Sequence, residues 1–294
     1  MLSALAVLAV TSAFVAAGGA LVIPPSTVAP YVAVAGVLLL LSAVVRRSRP
    51  LVRVWIPFVV LYLCYRALRG LLLLIPDEHG RHAQLRAADE WLLGTSPAWA
   101  LDAIATPWLT ELLAFAYALM FVLPMIVLVG LSLRGHEQAL RRAALALLIG
   151  FYVGFIVFLL VPAKSPDIVY TFDRPLSGHG FYEASMGAWA RLQQITFDAF
   201  PSMHTCVSTL ALIHARRLGP LVWPARPRTL FILFLPAVAA LQFATLYLRQ
   251  HYFVDVVAGW VLAAVSLTLA AKVEAAWERW ARLGSAAGLR SEHA

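Results

Sequence analysis

Eight apolar runs of spanning length limit what this chain can fold into. A helix that crosses a bilayer needs about 20 apolar residues. Runs on that scale occupy residues 2–23, 28–45, 54–75, 111–133, 143–162, 201–218, 229–249 and 251–272. Pro24-Pro25, Pro50 and Pro107 mark breaks between them. Together the runs use up most of the 294 residues and leave no room for a soluble domain. Charge tells the same story: 13% of residues are charged and 62% hydrophobic, where a soluble domain carries about 25% charged residues. The expected fold is all-α, a polytopic membrane helical bundle of about eight transmembrane helices. Residues 1–53 hold two N-terminal spans, 54–272 form the main membrane domain, and 273–294 form a polar tail of short helix and frayed end.

The net charge of +8 does not mark a nucleic-acid binder, because the basic residues sit in short clusters between apolar runs, where Lys and Arg set topology. Alternating spans put Arg46, Arg47, Arg49, Arg53, Arg134, Arg141, Arg142, Arg216, Arg217, Arg226, Arg228, Lys272, Arg279, Arg282 and Arg290 on one side. The other side receives Arg81, Arg86, Lys164, Arg174, Arg191 and Arg249. The richer side is expected to be cytoplasmic, with both termini there. The first run lacks a basic leading segment, which counts against a cleaved signal sequence. Cys64 and Cys206 both lie inside apolar runs and read as small buried residues.

Two connections on the outer side are long. Residues 76–110 hold Trp91, Trp99 and Trp108 among apolar and acidic residues, the pattern of one or two helices lying at headgroup level. Residues 163–200 are polar, include Lys164, Tyr170, Arg174, His179 and Tyr182, and read as a lid.

The chemistry-bearing side chains cluster at the outer ends of the last spans. His251 and Asp255 are four apart, so on a helix they share a face. Asp255 then accepts from one ring nitrogen of His251 and leaves the other as base or nucleophile. In Pro201-Ser202-Met203-His204, the proline suits a first helical turn and Ser202 suits a cap. Unpaired N–H groups at such a start favour an anion. The topology puts both helix starts on the outer side, so His204 and His251 are expected to converge. Alone, each motif also fits an interfacial polar residue; two imidazoles, a carboxylate, a helix start and nearby cations together suit a phosphate ester.

Pro201-Ser202-Met203-His204 and His251-x3-Asp255 resemble the second and third motifs of the type 2 phosphatidic acid phosphatase superfamily, P-S-G-H and S-R-x5-H-x3-D. Residues 247–259 are similar to the H-Y-x-x-D-x-x-x-G of its inositol phosphorylceramide synthase branch. Asp89-Glu-Trp-Leu-Leu-Gly94 with Pro97, and Tyr117 with Leu123-Pro124, also look like that branch. The resemblance covers roughly residues 60–272 and implies a six-helix phosphatase core behind the two N-terminal spans. It further implies a lipid phosphate as substrate, a bacterial plasma membrane and no metal or cofactor. In the mechanism it implies, His251 attacks phosphorus, Asp255 orients His251, and His204 protonates the departing oxygen. Hydrolysis and transfer of an inositol-phosphate-type headgroup both fit, as do phosphatidate and polyprenyl (di)phosphate substrates.

The chain departs from that pattern in its phosphate clamp. The third motif's Ser-Arg falls on Ala244-Thr245, Met203 replaces the glycine of the second, and Lys164 and Arg174-Pro175 match the first motif, K-x6-R-P, only loosely. Expected phosphate-binding residues are Lys164, Arg174, Ser202 and Arg249, with Arg69, and Arg66 beside it, in reserve. Two other classes compete: an intramembrane zinc hydrolase with His204, His251 and Asp255 as ligands, and a non-catalytic scaffold or transporter, against which the absence of inverted repeats counts.

Overall fold

The computed structural model describes residues 50–193 and 196–291, so the two expected N-terminal spans lie outside the described residues. Within them every regular element is helical. Ten α-helices follow in chain order: α1 (Pro50–Leu72), α2 (His82–Leu93), α3 (Pro97–Ala100), α4 (Pro107–Leu133), α5 (Glu137–Leu160), α6 (Pro166–Val169), α7 (Phe181–Gln193), α8 (Met203–Val222), α9 (Thr229–Tyr247) and α10 (Phe253–Ser291). Segments of α1, α4, α5, α9 and α10 are long and apolar enough to cross a membrane. The molecule is therefore an integral membrane protein built as a helical bundle.

Helix α8 is the least apolar of the six long helices, and the bundle closes around it. It packs against α4, α5, α9 and α10, while α1 lies on the outside of α5. Thr205, Cys206, Ser208, Ala211 and Ala215 on α8 are fully buried. Small residues of this kind let helices approach closely where burial among lipids offers no hydrophobic gain. A tight approach to the α8 backbone is at Gly259 on α10, where a Cβ would stand 2.6 Å from the Ser202 carbonyl oxygen and 2.7 Å from Thr205 Cβ. Any side chain at 259 would push α10 away from the start of α8.

The helix ends follow local rules. Thr106 caps α4 by accepting from Leu109 N, with Pro107 in the first position. Gly94 ends α2 in the left-handed region at φ 76°. Ser202 caps α8 by accepting from Thr205 N at 3.2 Å, so Pro201 stands before that helix and not in its first turn. The last span is expected to end near 272, but α10 continues to Ser291. Its extension is tied to the first turns of α5, where Arg142 binds Glu274 at 2.5 Å. Two of the basic clusters thus sit at the same end of the bundle.

The two long connections, 76–110 and 163–200, cover the opposite end. Residues 76–110 form α2, α3 and two short 3-10 turns, with Trp91 and Trp108 exposed. In the 163–200 connection, α7 packs on α4. Glu111 of α4 pins its start by accepting from the backbone N–H groups of His179, Phe181 and Tyr182.

Candidate active site

The start of α8 and the turn between α9 and α10 meet beneath these connections. Met203 opens α8, so His204 lies in its first turn, stacked on Tyr117 of α4 with ring centroids 3.9 Å apart and 24° between planes. His251 approaches from the other side. Its Nε2 is 3.4 Å from His204 Nδ1, and both rings are buried.

The partners of His251 fix its tautomer. Its Nδ1 lies 2.8 Å from the Ala199 carbonyl oxygen and 3.4 Å from Asp255 Oδ2. A carbonyl only accepts, so Nδ1 carries the proton and Nε2 presents a lone pair. His204 Nδ1 then donates toward that lone pair. A nucleophilic nitrogen and a proton donor face one another across a single gap.

Asp255 reaches His251 by a route the i, i+4 spacing misdescribes. His251 precedes the helix, which begins at Phe253, so the two do not share a helical face. Asp255 is the third helical residue, and its Oδ2 reaches back to accept from Tyr252 N at 2.8 Å, half of a capping box. The His–Asp contact is a product of that turn.

Asp89 does more at the site than its place in an interfacial helix suggests. This fully buried carboxylate on α2 accepts from Phe253 N at 2.8 Å and Val254 N at 2.9 Å. Burial pushes its carboxyl above the ordinary value and outweighs the two N–H bonds, which act the other way. With Asp255, it absorbs the N–H groups that open α10, so that helix start is closed to an outside anion.

The expected phosphate-binding residues are dispersed. Lys164 Nζ pairs with Asp77 at 2.8 Å, while its own carbonyl accepts from Tyr252 Oη at 3.3 Å beside the site. Arg249 is buried, pairs with Asp102, donates to the Arg174 carbonyl oxygen and lies 4.0 Å from the Phe172 ring. Arg174 donates to the Ala103 carbonyl oxygen. Ser202 Oγ is buried as a cap. Arg69 is half-buried near the end of α1, on the helix that packs against α5, and Arg66 is exposed one turn earlier.

The zinc alternative asks His204, His251 and Asp255 to converge on one point. Instead, the His204 ring faces Nε2 of His251 and the Asp255 carboxylate faces Nδ1, on opposite sides of the imidazole. Among the described residues, no group of three or more His, Cys, Asp or Glu side chains is placed to hold a metal ion.

A family model described as the PAP2 superfamily matches residues 83–269. The chain belongs to the PAP2 superfamily. Membership indicates a phosphatase-type function, and the matched region contains Asp89, His204, His251 and Asp255. Comparison with curated proteins and with solved structures finds no match.

Proposed function

We propose that the protein is a membrane lipid phosphatase or phosphotransferase working through a phosphohistidine on His251. The observation that most supports this reading is the opposed pair of rings: an Nε2 lone pair, its tautomer held by a backbone carbonyl, facing the Nδ1 of a second imidazole at 3.4 Å. A phosphate ester entering between the rings meets a nucleophile and an acid in one step. His251 Nε2 bonds to phosphorus as the ester P–O bond breaks. His204, in its imidazolium form, protonates the departing oxygen through Nδ1. Asp255 supports the charge that develops on His251. Water or an alcohol then takes the phosphoryl group and frees His251.

Charge on the equatorial oxygens has to be balanced for such a transfer. Lys164 is the best-placed cation. Its backbone abuts Tyr252, and its present partner Asp77 is 77% exposed, so exchanging that surface ion pair for a phosphate costs little. Arg249, buried and paired, acts as a structural clamp. The site is assigned to the extracytoplasmic face, opposite the Arg142–Glu274 end and its basic clusters.

Transfer of a headgroup between lipids, including one of inositol-phosphate type, is favoured over hydrolysis by one feature. The 163–200 connection is pinned across the site end by Glu111 and Arg249, an arrangement suited to restricting water. Assay of membranes with a panel of lipid phosphates, with free phosphate and new lipid products measured together, tests both levels. Wild type should turn over at least one substrate, and His251→Ala should lose about 10³-fold or more. Equal turnover by the variant contradicts the mechanism; phosphate release with no new lipid contradicts transfer for those substrates.

A further inference from the structure

Helix α10 needs outside help to begin. The first N–H groups of a helix have no partner within it, and its capping residue, Tyr252, has no short polar side chain to supply one. Asp255 takes the Tyr252 N–H, and Asp89, 164 residues before Phe253, takes the next two. Those two peptide groups lie between His251 and Asp255. Their orientation is therefore set by a different helix, one that forms no part of the reacting pair.

A second contact on the same face of α2 points to the same role. Leu85 is one turn before Asp89 and buried, and it packs in a cluster with Ala163, Ala199 and Tyr252. Ala199 supplies the carbonyl that fixes the His251 tautomer. Helix α2 thus touches the site twice: Asp89 holds the turn after His251, and Leu85 backs the strand of chain that orients its ring. An isolated buried carboxylate is costly, and here both of its oxygens are occupied by backbone donors.

We propose that Asp89 is a positioning residue for His251 and Asp255, fixing the turn that carries them through the Phe253 and Val254 N–H groups. The proposal rests on the reading of His251 as the nucleophile. Its test compares full-length wild type, Asp89→Ala and Asp89→Asn with short-chain phosphatidic acid in mixed micelles. Displacement of a reacting group by a fraction of an ångström lowers kcat more than it weakens binding, so Asp89→Ala should lose about 10–100-fold in kcat with KM within about 3-fold. Asp89→Asn keeps one acceptor and should recover most of that loss. In parallel, carbethoxylation of His251 by diethyl pyrocarbonate, followed by mass spectrometry, should rise about 3-fold or more in Asp89→Ala as the turn loosens. Wild-type kcat together with a wild-type labelling rate in Asp89→Ala overturns the proposal. If that variant does not fold, Asp89→Val, which fills more of the space and has no acceptor, decides it: reduced kcat at unchanged KM supports the assignment, and wild-type kcat with wild-type labelling overturns it. If wild type shows no His251-dependent turnover, the lipid-phosphate reading fails on its own, and the labelling comparison still decides the role of Asp89.

Discussion

The Ala199 carbonyl oxygen sits 2.8 Å from Nδ1 of His251, closer than Asp255 Oδ2 at 3.4 Å. The backbone therefore holds the tautomer, and the carboxylate adds charge and completes the capping turn. In triads where a carboxylate alone sets the tautomer, its amide replacement costs about 10⁴-fold. Here Asp255→Asn still meets a ring whose Nδ1–H is held by Ala199, and should cost only about 10–100-fold in kcat. A loss as large as that of His251→Ala would show that Asp255 sets the tautomer after all.

Tyr117 carries His204 on its face. Tyr117→Phe preserves the stacked ring and should leave turnover within about 3-fold. Tyr117→Ala empties a buried site and should lower stability by about 3 kcal/mol, with a matching fall in thermal midpoint. It should also reduce kcat, because His204 loses its support. Intact kcat in a folded Tyr117→Ala protein would contradict that role.

Arg249 stands where a glycine is usual. It follows α9 at φ 62°, with Arg249 N bonded to the Leu246 carbonyl oxygen and Gln250 N to that of Thr245, the pattern of a Schellman end. A left-handed conformation costs a non-glycine residue about 1–2 kcal/mol, and the Asp102 pair and the Phe172 contact offset it. Arg249→Gly removes both the strain and the clamp, and should change stability by less than about 1 kcal/mol. Arg249→Ala keeps the strain and loses the clamp, and should be clearly less stable than Arg249→Gly. Thermal unfolding of the two variants side by side checks the order.

Asp89 gives the fold a pH dependence with a definite sign. Burial raises its folded-state pKa above the ordinary 3.8. Its contribution relative to an uncharged isostere is then fully present below the unfolded value and lost as pH rises through the raised folded value. The thermal midpoint of wild type minus that of Asp89→Asn should fall as pH rises above the ordinary carboxylate range. A difference that grows with pH would show that the two N–H bonds outweigh burial.

Apolar run length made five of the expected spans legible among the described residues; the expected 201–218 run falls on α8, a long helix too polar to count with them, yet its start and His251 still meet at one end. Ser202 read correctly as a cap because capping is local chemistry. What stayed hidden depends on contacts between distant segments. Asp89 looks like one acidic residue in an interfacial helix until its carboxylate meets two amides 164 and 165 residues on. The Ala199 carbonyl leaves no trace in residue type. Spacing placed His251 and Asp255 on one helical face, whereas the helix starts between them. The cations were named by type, but their partners, Asp77 for Lys164 and Asp102 for Arg249, come from loops whose path the sequence does not specify. The two spans expected in the first 49 residues lie outside the described residues.

The central claim is a covalent bond between His251 and phosphorus. Rapid acid-free quenching of the purified protein with a ³²P-labelled lipid phosphate, followed by peptide mapping, tests it directly. Wild type should carry acid-labile, base-stable label on the peptide containing His251, and His251→Ala should carry none. Turnover without label on that peptide, or equal label in His251→Ala, would contradict it.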